Sequence, residues 1–347
     1  MSTTPSATPP HTPSDRPIVV GIDGSPESAR ALAFAVRQAE RDGCSVWLID
    51  AIHEIVPVGP MLPLISGEPL VDVGHQLLAD ARDRVEELSD GTVGTRLQVA
   101  LGPAVDVLAA AGERARLVVL GHRTTSVVER MFTGSTTFGV VARALCPVVS
   151  VPRDLVRKPG SHHVVAAIDG SRSSAEVLEH AFALAAQRDA RVEIVHCWRL
   201  DPFYSYLVDE WSVQQEWGVQ AHDIIDGLIE AAARAHPGVA HESNVEYANV
   251  ADTLVRWSDG ADLLVMGRHG GGALGSRMVA AVLGSVTRAV LQHARCPVEV
   301  VPPRPLAEVA DEVATVDRTR SAAVTSFVSP ARAAAPVGGL SSGGTSS

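Results

Sequence analysis

The chain repeats itself, and that repeat limits the fold more than any other feature of its 347 residues. Ile18–Leu32 (IVVGIDGSPESARAL) returns as Val164–Leu178 (VVAAIDGSRSSAEVL), and Ala115–Arg123 (ARLVVLGHR) returns as Ala261–His269 (ADLLVMGRH). Both pairs are offset by 146 positions. The last pair, Ala142–Pro152 (ARALCPVVSVP) and Leu291–Pro302 (LQHARCPVEVVP), places Cys146 and Cys296 150 positions apart. A net insertion of four residues therefore lies between the second and third landmarks of the second copy. Self-similarity at this spacing divides the chain into residues 17–152 and 162–302, joined by a linker at 153–161. Residues 1–16 (Pro, Ser, Thr) and 303–347 (Ala, Ser, Gly, Thr) hold too little to bury and are expected to be disordered tails.

Each copy alternates short apolar runs with amphipathic stretches. In the first, strands are expected at Ile18–Ile22, Val46–Ile49, Arg96–Leu101, Leu117–Leu120 and Val148–Val151. Helices are expected between them, the first opened by Ser25 as N-cap, Pro26 at the first position and Glu27 in the first turn. The second copy follows, with Ala248-Asn249 in place of the Gly102-Pro103 that opens the third helix of the first. Continuous apolar strands between amphipathic helices specify a parallel sheet covered on both faces, and right-handed crossovers make it doubly wound. Hydrophobic residues make up 46% of the chain but aromatics only 4%, so the core must be built from Ala, Val, Leu and Ile.

The net charge of −11 argues against nucleic acid or an anionic membrane surface as partner, since both demand clustered Lys and Arg. A small anion is not excluded, because backbone amides hold one without a cation. The four cysteines show neither zinc-ligand spacing nor a disulfide framework, no apolar run approaches the ~20 residues of a membrane span, and the N-terminus lacks a signal-peptide core. A cytoplasmic protein is expected. Cys146 and Cys296, in equivalent Cys-Pro-Val positions, are expected to be buried thiols.

In such sheets a ligand sits beyond the carboxyl ends of the strands. The first strand of each copy ends in Asp-Gly-Ser, at Asp23 and Asp169. A carboxylate there accepts from a ribose hydroxyl or an adenine amino group, or it simply holds the turn into the next helix. The fourth strand of each copy ends in glycine and opens into a loop that closes on Gly-Ser before a helix. The first copy reads Gly121-His-Arg-Thr124, nine residues, then Gly134-Ser135; the second reads Gly267-Arg-His-Gly270, thirteen residues, then Gly284-Ser285. Glycines admit a phosphate to the backbone, and Gly-Ser at a helix N-terminus offers amides, a hydroxyl and the dipole. His122 and His269 flank these loops and are expected to be solvated. Phe203, Tyr204, Tyr206, Trp211 and Trp217 cluster after the second strand of the second copy, either over their own sheet or as a lid. No nucleophile elbow, catalytic dyad or Walker Gly-Lys-Ser/Thr is present, so an enzyme is not expected.

The strand–IDGS–helix start, the LVVLG strand, the G-x2-G-x9-G-[ST] loop and the terminal CPV strand together resemble the universal stress protein family, in a tandem form covering nearly all of residues 17–302. The resemblance implies α/β domains of the adenine nucleotide alpha hydrolase-like type, each a five-stranded parallel sheet of order 3-2-1-4-5, paired along their last strands. A homodimer is a further option that it leaves open. For one branch of the family it implies ATP binding, with or without Mg2+; another branch lacks the loop glycines and does not bind ATP. Carried onto this chain, the nucleotide-binding positions are Asp23, Ser25, Gly121, Gly134 and Ser135, and Asp169, Gly267, Gly270, Gly284 and Ser285. Thr124 stands at the second glycine of the first copy, and the second copy has the four-residue excess inside its loop. The alternative implied by these departures is a nucleotide-free dimerising scaffold. A slow nucleotide hydrolase is a third, weaker option.

Overall fold

The computed structural model describes residues 16–52, 68–122, 135–153, 155, 162–171, 173–198, 225–268 and 283–303, all within one contact unit that ends at Pro303. In the first copy the elements are β1 (Ile18–Gly21), α1 (Pro26–Asp42), β2 (Val46–Ile52), α2 (Glu68–Ser89), β3 (Thr95–Leu101), α3 (Ala104–Gly112), β4 (Leu117–Gly121), α4 (Ser135–Arg143) and β5 (Val148–Val151). In the second they are β6 (His163–Ile168), α5 (Ser173–Arg188), β7 (Arg191–Trp198), α6 (residues 225–235), β8 (His241–Tyr247), α7 (Val250–Trp257), β9 (Leu263–Gly267), α8 (Ser285–His293) and β10 (Val298–Val301).

The strands form one ten-stranded sheet in the order β3-β2-β1-β4-β5-β10-β9-β6-β7-β8. Each copy is thus a parallel 3-2-1-4-5 sheet, as the resemblance implies. The central strands are buried on both faces, which is why they read as unbroken Val, Ile and Leu. Among the described strands the single antiparallel junction joins β5 to β10, with Ser150, Val149 and Val148 opposite Val298, Glu299 and Val300. Val149 and Glu299 are equivalent positions of the repeat, so a pseudo-two-fold axis passes between them.

Helix starts follow local chemistry. Ser25 caps α1 by accepting from the Ser28 amide at 3.1 Å, and Gly43 closes it in the left-handed conformation at φ 61°. The missing Gly-Pro of the second copy is replaced by a different cap, the Asn249 side chain accepting from Asp252 N at 3.2 Å. On one face of the sheet a single apolar cluster runs across the β5–β10 junction, taking in Val118, Val140 and Val148 with Leu264, Val290 and Val298. On the other face each copy has its own cluster, and Phe34 of α1 packs against both. These cores are mostly Val, Ala, Leu and Ile, as the low aromatic content requires; Trp47 and Phe182 are the large exceptions.

Candidate functional site

The carboxyl ends of β1 and β6 carry the two repeated aspartates, and both build the turn they stand on. Asp23 Oδ1 accepts from Ser25 N at 3.0 Å and from Ser25 Oγ at 2.5 Å. Asp169 Oδ1 accepts from Ser171 N at 3.0 Å and from Ser174 Oγ at 3.0 Å. Gly24 (φ 72°) and Gly170 (φ 76°) follow in the left-handed region, which permits the carboxylate to fold back on its own backbone. The turn-holding role is therefore present in both copies, with both aspartates at the carboxyl edge of the sheet.

Beyond the second copy's strands lies a cavity of about 390 Å³, within the range of small-molecule sites. Asp169, Gly267, Gly284 and Ser285 all line it, so four of the five positions singled out in this copy meet in one place. Ser173 and Ser174 from the start of α5, and Thr287 from the start of α8, add hydroxyls; Ile168, Val195, Leu254 and Met266 supply apolar walls. Thr287 Oγ1 donates to the carbonyls of Gly267 (3.3 Å) and Arg268 (3.2 Å), fixing α8 against the end of β9. The first N–H groups of α8 have no intrahelical carbonyl to bond, and Ser285 at its start lines the cavity. A second cavity of about 290 Å³ adjoins along Val250, Ser285 and Val286, between the starts of α7 and α8. Cys197 also lines the larger cavity, its thiol pushed up to about 11 by burial and by the Glu246 carboxylate.

The first copy is built differently at the same edge. Gly121 is packed against the first turn of α1: a Cβ there would lie 2.4 Å from Glu27 C and O. Asp50, at the end of β2, has its carboxyl raised above the usual range by burial and by neighbouring Asp23. Its equivalent in the second copy is His196, whose Nδ1 lies 3.0 Å from Ile168 O. Ser135 opens α4 by its backbone. Gly134, Gly270, Thr124, His269 and the aromatic residues at 203, 204, 206, 211 and 217 lie outside the described residues. All four cysteines are free and buried. Burial pushes Cys146 up to about 11 and Cys296 higher still, which agrees with their assignment as core thiols. Among the described residues no group of three or more His, Cys, Asp or Glu is placed to hold a metal ion.

His122 corrects one expectation. It is 3% exposed rather than solvated, because the residue after β4 turns into the junction between the copies. Its ring meets Phe138 edge-on at 5.7 Å, and its Nδ1 is buried with no hydrogen-bond partner among the described residues. The equivalent residue, Arg268, crosses the same junction and does find partners: Nη1 donates to Ala142 O at 3.0 Å and Nη2 to Ala144 O, at the end of α4. Arg288 lies over the Phe138 ring at 5.4 Å, again from equivalent positions of the two copies. A residue just past a loop glycine looks like loop in sequence, and nothing in its type signals a cross-copy contact.

Burial, then the neighbouring His293, holds the His122 imidazole below the ordinary histidine range. A lowered folded-state pKa means that the unfolded chain takes up the proton first. This contribution to stability is complete above pH ~6.5 and is lost as pH falls below it. His180 works in the opposite sense: burial lowers it, but the Glu299 carboxylate 2.6 Å away outweighs that and raises it. The test is therefore differential. Relative to wild type, His122→Gln should gain urea resistance as pH falls from about 6.5 to 5, with little change between pH 7.5 and 6.5; a constant difference from pH 7.5 to 5 would show that His122 does not titrate at the junction.

The profile of the universal stress protein family matches residues 16–152 and again 160–302. The chain belongs to the universal stress protein family. A universal stress protein of Mycobacterium tuberculosis is 30% identical over 290 residues, covering 82% of this chain and 96% of its own length. Another, from Mycolicibacterium smegmatis, is 29% identical over 297 residues, with 83% and 97% covered. Among solved structures, a universal stress protein from Archaeoglobus fulgidus superposes with a TM-score of 0.61 at 17% identity, covering 83% of this chain and 96% of that one. As a tandem universal stress protein, the chain carries the carboxyl edge of a 3-2-1-4-5 sheet twice. No described helix is long and apolar enough to cross a membrane.

Proposed function

We propose that this universal stress protein is a cytoplasmic, nucleotide-responsive regulator that binds ATP at the carboxyl edge of its sheet and is not an enzyme. The observation that carries this is the 390 Å³ cavity, on whose wall Asp169, Gly267, Gly284 and Ser285 come together. The donor set suits the ligand. Apolar walls accept a base, Asp169 accepts from a hydroxyl or amino group, and the α8 start with Ser285 offers amides and a hydroxyl to phosphates. Asp169 is the only carboxylate among the described lining residues, so Mg2+ would enter already bound to the phosphates. Nothing in that lining forms an acid/base pair for hydrolysis, which favours binding over turnover. Four unpaired thiols fit a reducing compartment.

The continuous sheet and the shared apolar cluster favour a second reading, a nucleotide-free scaffold. Thermal unfolding separates the two. With Mg-ATP at one hundred times its Kd, binding adds about 2.7 kcal/mol, and the midpoint rises by roughly 2–4 °C per kcal/mol. A midpoint unmoved by millimolar ATP, with no nucleotide extracted from gently purified protein, favours the scaffold.

A further inference from the structure

Two pieces of the second copy's cavity wall meet in space without being consecutive in the chain: the end of β9 at Gly267 and the start of α8 at Gly284, Ser285 and Thr287. Thr287 is 2% exposed, and its Oγ1 donates to the carbonyls of both Gly267 and Arg268, which ties the two pieces together. Arg268 carries that tie out of the second copy. Its amide donates to Val301 O at 3.1 Å, and its guanidinium donates to Ala142 O at 3.0 Å and to Ala144 O. Both carbonyls stand at the end of α4, in the first copy. One turn after Ser285, Arg288 lies over the ring of Phe138, on the same helix, at 5.4 Å. Each of the two wall pieces thus has one arginine on α4. The counterpart of Arg268 in the first copy is His122, whose Nδ1 makes no hydrogen bond among the described residues.

We propose that α4 of the first copy is a structural part of the second copy's ligand site, and that Arg268 is the positioning residue through which it acts. This rests on the ATP-binding reading above. Arg268 is not among the described lining residues; it fixes those that are. A binding constellation works only when its groups are held within about 0.5 Å of the productive geometry by the residues behind them. The two carbonyl bonds of Arg268 are charge-assisted, largely sheltered from water and directed at the negative end of α4, so they hold the end of β9 in one place. The second copy's site is then complete only while the two copies are paired. The coupling is reciprocal: whatever affinity the nucleotide gains from the closed junction, the junction gains in stability from the nucleotide.

Equilibrium dialysis of the full chain against labelled Mg-ATP tests this, at a temperature where circular dichroism shows each variant folded. Ser285→Asp, which puts a carboxylate at the start of α8, identifies the second copy's site as the one it removes. Arg268→Met should weaken that site at least ~10-fold, and Arg268→Lys, which keeps the charge but not the two-pronged donor, by roughly 3-fold. The lysine variant keeps the test open if Arg268→Met does not fold. Leu78→Ala separates positioning from stability. Its side chain is 1% exposed in the first copy's own apolar cluster, so it destabilises the protein by the cavity it leaves, yet it should keep the affinity within about twofold. Wild-type affinity in every Arg268 variant that folds, an equal loss in Leu78→Ala, or binding that survives Ser285→Asp would overturn the proposal and leave ATP binding standing. No saturable binding by the wild type at millimolar ligand would overturn both.

Discussion

Arg268→Met should cost about 2–4 kcal/mol of stability and lower the unfolding midpoint by on the order of 10 °C. The side chain is 8% exposed, and its two terminal nitrogens bond the Ala142 and Ala144 carbonyls across the junction. Those carbonyls stand at the end of α4, where no further turn of helix satisfies them and where the dipole favours a cation. Methionine keeps much of the apolar stem but leaves both acceptors without their charged donor. Arg268→Lys should recover only part of the loss, because a single ammonium does not reproduce the two-pronged guanidinium. Arg288→Met is the comparison from the same junction. It removes a contact with the Phe138 face at 5.4 Å and should cost under about 1 kcal/mol. Equal losses in Arg268→Met and Arg288→Met would show that the carbonyl bonds do not hold the copies together.

Much of this architecture was legible because it is built from local signals. Parallel strands buried on both faces have no alternation to confuse, so runs such as Val118–Leu120 and Leu263–Met266 declare themselves. Ser25-Pro26-Glu27 opens a helix by cap, ring and charge, all within three residues. What stayed hidden depends on contacts between distant segments. Nothing within Val148–Val151 or Val298–Val301 distinguishes an antiparallel partner from a parallel one; that register is set by how the two copies meet in the fold. His122 and Arg268 occupy equivalent places after a glycine, and their burial comes from the other copy's helix. The aspartates were legible as residues and ambiguous as roles. The structure gives both the turn-holding role through their Oδ1 atoms and, at Asp169, a place on the cavity wall.

The glycine ending β4 carries the sharpest test of how the first copy's edge is used. Gly121→Ala should destabilise the protein by about 3 kcal/mol or more, from lack of space alone. Its φ lies outside the left-handed region, so alanine meets no backbone penalty there. The new Cβ would lie 2.4 Å from Glu27 C and O and 2.8 Å from Glu27 Cβ. Two of those atoms are backbone and cannot rotate away, so the first turn of α1 must retreat, and with it the Asp23–Ser25 turn that caps the helix. Gly91→Ala makes the opposite case: φ is 74° with nothing within 4 Å, so only conformation is strained, at a cost of about 1–2 kcal/mol. Urea unfolding of both variants separates crowding from backbone strain. If Gly121→Ala proves as mild as Gly91→Ala, then α1 does not close on β4. If the loss is large, the first turn of α1 closes on the end of β4 in the first copy, while the equivalent glycine, Gly267, lines the cavity of the second.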